Sequence, residues 1–570
     1  MSSTFARSIP EEQDRAEERR LSVFDLVGLA VGGVIGSGWL FAAAEASRTA
    51  GFGAIWAWAI GGAVMIVIAV VMVELSAFAP KTGGLIFLPL QSSGPLVAII
   101  AAASLWVFYA TNPASEAAAM TKGLAYWYPN LLDSSTDTPT MFGFVTAASF
   151  MAVIFAINLV AQRLFVKVNF ALTLWKVLVP VLIVVLLLMA GFDGRALTEQ
   201  TGREGNGLDA ALAAVVGGGV IYAYTGFQAP LDLAGNVRRR GVGEAARLRW
   251  AVYGTLAGSI ILYIALQVVF LGHNHGQLLR VNFDSPYTQF AIAASFAWLA
   301  PLIRIDALLS PMGSGLVFTN ALTREVAALS RAHLTHRGLQ TARHASIKLG
   351  NRTHDVYWLV LLANFVVSLI LLLVTSGSWK TLITIISVAT LVVYALPGVV
   401  LVSLRRGAPG HPQVGSNRRG HVQEVLAHAS FVSIALLLYW ARWASLWRGL
   451  LVIAIGCVLL FGLPLLARRD VPVIGRLLRK YDTKEHVTLF RQWRTNPAAR
   501  AATLLLGYLG GLAVLTLLGK STVGVDCEPW LSLLVAGFAF VTFRRLVAMS
   551  MSHMAEVPPT LPIPARATSG

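Results

Sequence analysis

Two segments of the chain place glycine and polar residues where a membrane helix is expected to be uniform. Gly33-Val34-Ile35-Gly36-Ser37-Gly38 lies in the middle of an apolar stretch running from about Val23 to Ala44. Gly217-Gly218-Gly219, followed by Tyr222-Ala223-Tyr224-Thr225-Gly226-Phe227-Gln228-Ala229-Pro230, interrupts a second apolar stretch. Irregular backbone at membrane depth survives only where it is buried in protein or lines a cavity. The chemistry such segments offer is recognition by the backbone, not bond making. Free N–H groups at a half-helix N-terminus carry partial positive charge and favour a carboxylate, and unwound carbonyls accept from an ammonium. The first break, with Val34, Ile35 and Gly36 leading in, would supply N–H groups around Ser37, Gly38 and Trp39. The second, with Thr225, Gly226 and Phe227 following, would supply carbonyls around Tyr222, Ala223 and Tyr224. A solute carrying both charges close together, an α-amino acid, fits both. One glycine-rich helix alone is equally well read as a face for tight packing.

Ionisable residues inside apolar runs are the second kind of signal. Lys176 sits in Leu174-Trp175-Lys176-Val177-Leu178, and a lysine at membrane depth is costly enough to suggest function. Its ammonium could exchange a proton, or stand in for a metal cation against carbonyls of the first span and a hydroxyl of the eighth such as Ser310. The competing reading is a lysine snorkelling to the interface. Glu116, after Asn112-Pro113, either faces a cavity through a proline kink or is wetted at the outer end of its span. Tyr109 and Asn112 on the same span are candidates for the cavity wall or a gate. Glu74 and Asp306 read better as structural or gating groups than as substrate ligands. His273 and His275 read as loop histidines, not metal ligands. The chain shows no nucleophile–base constellation, zinc motif or phosphate loop, which argues against an enzyme, a cofactor, a metal site and an ATP-driven pump.

The elements that must position these residues follow from composition. The chain has 570 residues, 56% hydrophobic and 13% charged, about half the charged share of a soluble domain, with mean hydropathy +0.67. This is an all-α polytopic membrane protein. The net charge of +17 resides in short loops between apolar runs, which excludes nucleic acid as the partner and names the bilayer instead. Two cysteines, Cys457 and Cys527, imply no disulfide framework. Residues 1–20 lack the apolar core of a signal peptide.

Apolar runs predict fourteen spans near 22–43, 51–78, 95–120, 141–161, 167–191, 211–235, 248–272, 287–328, 355–375, 379–404, 425–443, 446–466, 500–518 and 529–550. The eighth is too long to lie wholly in the membrane and is expected to project beyond it. Lys and Arg concentrate in the loops after even-numbered spans, including Arg238–Arg240, Arg331, Arg337, Arg405 and Arg406. By the positive-inside rule both termini are cytoplasmic. The expected organisation is a cytoplasmic tail at 1–20, a transport core at 21–405, spans eleven and twelve at 406–467, a basic cytoplasmic linker at 468–500, an appended helix pair at 501–550 and a cytoplasmic tail at 551–570. Spans one and six are five apart. Two inverted five-helix repeats place their broken first helices at that spacing, with the binding site between them.

At these residues the chain resembles the amino acid–polyamine–organocation superfamily of secondary transporters, over roughly 20–405. The resemblance rests on Gly33-Val34-Ile35-Gly36-Ser37-Gly38, on Glu74-Leu75 followed by Pro80-Lys81-Thr82-Gly83-Gly84, on Tyr224-Thr225-Gly226-Phe227, and on Asp306, Ser310-Pro311, Gly313 and Arg324. It implies a ten-helix inverted-repeat core that alternates access by rocking one bundle against another, with spans one and six lining the substrate site. It also implies that Lys176 matches the span-five lysine that replaces a sodium ion in proton-coupled members. Fourteen spans, Pro113 and Glu116 look more like the bacterial aspartate–proton symporter type than the twelve-span antiporters. An acidic substrate is implied by that finer resemblance alone. Two departures stand out. Trp39 replaces the usual Ile and would narrow the side-chain pocket. Gln228 replaces a frequent Glu, so no proton can be carried there, which leaves Lys176 as the stronger coupling candidate.

The expected function is amino acid transport across the cytoplasmic membrane by proton symport. The substrate carboxylate would lie on the N–H groups of Gly36–Gly38, its ammonium on carbonyls of Tyr222–Tyr224, with Tyr222 or Phe227 as an aromatic gate. The alternatives are an amino acid or amine exchanger and, ranking lower, a non-transporting amino acid receptor.

Overall fold

The computed structural model describes residues 23–79, 83–133, 136, 138–160, 162–199, 202–203, 205–232, 243–273, 286–340, 343–345, 354–407, 418–466, 492, 494–521 and 529–559. The tail at 1–20, Pro80-Lys81-Thr82, Arg238–Arg240, His275, Cys527, most of the 468–500 linker and the end of the C-terminal tail lie outside the described residues.

The first span is two helices, α1 (Val23–Val34) and α2 (Gly38–Ala50). It is followed by α3 (Ala54–Phe78), a short α4 (Gly84–Ser93), α5 (Pro95–Leu124), α6 (Met141–Val160), α7 (Gln162–Met189) and a short α8 (Gly194–Glu199). The sixth span comes in three pieces, α9 (Leu208–Gly217), α10 (Val220–Tyr224) and α11 (Ala229–Asp232). Beyond it run α12 (Gly243–His273), α13 (Pro286–Ala293), α14 (Leu299–Arg331), the strands β1 (Arg343–Ala345) and β2 (His354–Val356), α15 (Trp358–Val374), α16 (Trp379–Gly407), α17 (Arg418–Trp440), α18 (Arg442–Leu466), α19 (Pro497–Ser521) and α20 (Pro529–Glu556).

Among the described residues, eleven helical stretches are long and apolar enough to cross a membrane. One of them, Asp25–Phe78, holds the first two expected spans together, and two shorter apolar helices, Leu208–Gly217 and Trp358–Val374, stand where the sixth and ninth are expected. The fold is all-α apart from the small antiparallel pair β1–β2, in which Arg343 faces Val356 and Ala345 faces His354. That hairpin and the short α4 were not visible as apolar periodicity.

The expected long eighth run is divided. α13 ends at Ala293, Ser295 takes a left-handed φ of 65°, and the amide of Phe296 closes the turn on the carbonyl of Ala291 at 2.8 Å. Pro301 falls in the first turn of the next helix, where its missing N–H costs no hydrogen bond. The last two helices are not a detached appendage. α20 packs on α4, α16 and α17, and α19 packs on α5 and α18, with the hydroxyls of Ser93 and Ser550 2.8 Å apart.

The centre of the bundle is formed by α5 and α16. The apolar window of α16 is buried throughout and that of α5 nearly so. α5 is rich in alanine, from Ala98 to Ala119, and small residues let neighbouring backbones approach closely in the membrane. α14 and α16 lie against it.

The two broken spans cross backbone to backbone. A Cβ built on Gly33 would lie 3.0 Å from both the Cα and the carbonyl oxygen of Gly226. Gly226 has φ +112°, and a Cβ there would run into the backbone of Gly33 and Val34. Gly226→Ala is therefore expected to lower stability by about 1–3 kcal/mol through overpacking and backbone strain. Thermal unfolding of the purified protein in lipid nanodiscs measures this, and an unchanged transition would show that the two backbones do not touch.

Candidate functional site

The first span unwinds over Ile35, Gly36 and Ser37. Glycine at 36 is required by proximity, because a Cβ there would collide with Oε1 of Glu116 and come within 2.9 Å of the Ser314 side chain. Gly38 is likewise pressed against Ala223, whose Cβ would be 2.9 Å away. The freed amide of Ser37 does not point into open space. It donates to Oε2 of Glu116 at 3.0 Å, while Oε1 of the same carboxylate accepts from the Tyr222 hydroxyl at 2.9 Å. The Ser37 hydroxyl lies 2.8 Å from that of Tyr222 and accepts from the indole N–H of Trp379 at 2.9 Å. Among the described residues the amides of Gly36 and Gly38 find no acceptor. Glu116, on α5, is thus bound where the half-helix N-terminus of α2 favours an anion. Asn112, one turn earlier, is buried, and among the described residues both its amide atoms are unpartnered.

Carbonyls at the end of α1 are claimed by the protein as well. Lys176 on α7 is fully buried, and its ammonium donates to the carbonyl of Gly32 at 2.8 Å. Gly313 on α14 makes room for it, since a Cβ there would lie 2.7 Å from Lys176 Cε. Ser314 donates to the carbonyl of Gly33 at 3.3 Å and Tyr263 to that of Val34 at 3.0 Å. The charges that Lys176 feels are those of Glu116 and Asp306. Asp306 accepts from the Trp39 indole at 3.0 Å and from the Ser310 hydroxyl at 2.7 Å. Ser310 therefore reaches Lys176 only through Asp306, not as its direct partner. The neighbouring Arg304 lies 3.3 Å over the ring of Tyr126. Trp39 turns toward the eighth span, its ring 5.8 Å from that of Tyr287.

In the sixth span the unwound backbone lies later than expected. Tyr222, Ala223 and Tyr224 form the helical turn α10, entered through Gly219 at φ +82°. The carbonyl of Tyr222 is taken by the amide of Thr225 at 3.0 Å and its hydroxyl at 2.7 Å. Helix is lost over Thr225, Gly226, Phe227 and Gln228. Gln228 stabilises that stretch, with Oε1 accepting from the Gly226 amide at 2.9 Å and from Tyr394 at 2.7 Å. Its Nε2 donates to Tyr109 at 3.3 Å. Phe227 is buried against Tyr394, ring centres 5.6 Å apart, and Tyr222 meets Trp379 edge-on at 6.0 Å.

The tertiary structure thus gathers Gly36, Ser37, Gly38, Tyr222 and Glu116 around one point, with Lys176 on the α1 side of the break and Asn112 one turn from Glu116 on α5. Val34 and Ile35 border it, while Trp39 and Ser310 attach to Asp306 and Tyr109 joins the second break. Trp379 and Tyr394 were missed. Trp379 begins its span, where a tryptophan reads as an interfacial anchor, and Tyr394 carries no motif. Glu74, at the end of α3, accepts from Arg249 at 2.9 Å and from Gln423 at 2.5 Å, tying three helices. Among the described residues no group of three His, Cys, Asp or Glu could hold a metal ion.

Known transport proteins are similar to this chain along most of its length. A family model described as amino acid permease matches residues 21–474. The chain is 31% identical over 459 residues to the glutamate/serine transporter AimA of Bacillus subtilis, covering 78% of this chain and 81% of that protein. It is 28% identical over 532 residues to the aspartate-proton symporter of the same organism, covering 91% and 94%. A shorter similarity, 29% over 177 residues, joins it to the aromatic amino acid transport protein AroP of Escherichia coli, covering 30% and 36%.

Ser37→Ala removes the acceptor of the Trp379 indole and one partner of Tyr222 in a buried site. Leaving such groups short of a partner costs about 1–3 kcal/mol. The expected outcome is a lower unfolding temperature, and a transition identical to that of the unaltered protein would show that the hydroxyl does not hold this network.

Proposed function

The chain belongs to the amino acid permease family, and from that premise we propose that it transports amino acids by proton symport with alternating access, taking an acidic or small polar amino acid as substrate. That it moves amino acids and is not an enzyme follows from the family. The finer reading draws on the two long relatives, one named for glutamate and serine and one for aspartate and protons.

One observation carries the reading. The amide of the first break already holds a carboxylate, that of Glu116. A substrate carboxylate that binds the N–H groups of Gly36–Gly38 must displace Glu116 from Ser37, and a proton on Glu116 removes the competing charge. Substrate and proton then favour one another, which is the linkage that symport requires. Lys176 fixes the other side of the break by holding the Gly32 carbonyl, and its charge balances Glu116 and Asp306. The substrate ammonium would meet carbonyls freed at Thr225–Gln228 once that stretch shifts, with Tyr222 and Trp379 closing over it. Every residue around the first break is buried, so rocking of the broken helices against α5 and α14 is what opens the site to either side. The Lys and Arg bias of the loops supports a cytoplasmic position for both termini.

Two measurements test this. In proteoliposomes Lys176→Ala is expected to lose uptake driven by a pH gradient while counterflow of labelled substrate persists, and unchanged gradient-driven uptake would remove Lys176 from the coupling. For the unaltered protein, substrate affinity should weaken as pH rises, because ionised Glu116 competes for Ser37. In Glu116→Gln that dependence should flatten. Titration calorimetry with glutamate, aspartate and serine at several pH values reads both, and an equal pH slope in the two proteins would exclude the competition.

A further inference from the structure

Below the second break lies a pair of carboxylates that the site described above does not use. Asp232 ends α11 and Glu325 lies near the end of α14, and both are buried, with 4% and 1% exposure. Among the described residues, both oxygens of Glu325 and Oδ1 of Asp232 lack a hydrogen-bond partner. The two residues meet across Gly83. Its amide donates to the Asp232 carbonyl at 3.3 Å, and its missing Cβ would lie 3.4 Å from Oε2 of Glu325. Their charges act on one another.

Two ionised carboxylates buried with a single donor between them, the Tyr109 hydroxyl on Asp232 Oδ2, are strongly disfavoured, and such groups are neutralised or paired. Among the described residues, the charged and titratable groups that act on the pair are Tyr109 on α5, Tyr394 on α16 and Arg331 on α14 itself. The other elements packed on α11 contribute Asp25 on α1, Glu74 on α3 and Arg249 on α12, the last two engaged with each other; α4 contributes none. None of these supplies a hydrogen bond to the three free oxygens. Three oxygens also fall short of the six or so that a hard metal cation takes. A proton needs only two.

We propose that Asp232 and Glu325 together hold a proton, forming a second titratable centre wired to the broken sixth span. The wiring is a directional chain of hydrogen bonds. The Gly226 amide donates to Gln228 Oε1 at 2.9 Å, Gln228 Nε2 to Tyr109 at 3.3 Å, and the Tyr109 hydroxyl to Asp232 Oδ2 at 2.5 Å. Adding or removing a proton at Asp232 changes the pull on Tyr109, and through Gln228 the backbone that packs on Gly33. Access comes from a cavity of about 20 Å³ between α3, α4 and α11, lined by Ser76, Leu75, Gly84, Leu231 and Asp232 among others. It is large enough for about one water. The proton arrives from water there and returns to it, and only O–H bonds form and break. The pair adds a second proton position to the symport reading and rests on it for its role in transport, but not for its existence.

The test uses the full chain in lipid. Infrared difference spectra across a pH titration should show a protonated carboxyl band that is absent in Glu325→Gln and in Asp232→Asn and retained in Glu116→Gln. With a gradient of one pH unit, loss of one coupled proton should lower steady-state substrate accumulation about tenfold in both variants, with counterflow preserved. If both variants keep the band and the accumulation, the proposal is wrong. Sodium-dependent accumulation that the variants lose would replace the proton by a metal cation and equally overturn it. If the unaltered protein shows no proton-driven accumulation but keeps a band that the variants lose, the symport reading fails and the pair stands. Glu325→Asp, which keeps the carboxyl, should restore the band where Glu325→Gln removes it, and its failure to do so would count against the pair.

Discussion

The structure depends on one contact, the backbone crossing of Gly33 and Gly226. Neither position can carry a side chain, because a Cβ on either would meet the other backbone. At this crossing Gly33 lies in the last turn of α1 and Gly226 in the unwound stretch of the sixth span, so both breaks lie beside it. Each surrenders part of its internal hydrogen bonding there. In lipid that loss is tolerated only if protein supplies the missing partners, and the surrounding helices are built to do so.

The partners come chiefly from α5 and α14. α5 brings Glu116 to the Ser37 amide and Tyr109 to the second break. α14 brings Ser314 to the Gly33 carbonyl and Asp306 beside Lys176. These are interactions of side chains with backbone, and under the proposed function they give way to those of a bound amino acid. Lys176 against Glu116 and Asp306 makes the exchange sensitive to charge. Moving one buried charge leaves the others uncompensated, and uncompensated charge in a low dielectric is expensive. A transporter needs a site whose closed form is stable yet replaceable, and internal ligands of the same chemistry as the substrate meet that need.

Much of the fold was legible in the sequence. Apolar run length places the long helices, and Gly33–Gly38 and Gly217–Gly226 mark both breaks. Periodicity failed where the elements are short or amphipathic: α4, the α13–α14 turn at Ser295, and β1–β2. It also placed the second unwound stretch one turn early, because Tyr222–Tyr224 look polar but remain helical and the break falls at Thr225–Gln228. The candidate site was legible as residue types more than as pairings. Lys176 and Glu116 were visible as ionisable groups in apolar runs, but nothing near them in sequence names Gly32 or Ser37 as their partners.

The sequence by itself determined that this is a helical membrane protein with two weakened helices and a few costly charges among them, because hydropathy, glycine content and the cost of burial are local properties. The tertiary structure alone decided that Glu116 caps the first break, that Ser310 serves Asp306 and not Lys176, that Trp379 reaches Ser37 across the bundle, and that Asp232 meets Glu325 at Gly83. Each of those pairings joins residues far apart in the chain. Their geometry is fixed by how closely small residues let helices approach, a property of the packed whole that no segment carries alone.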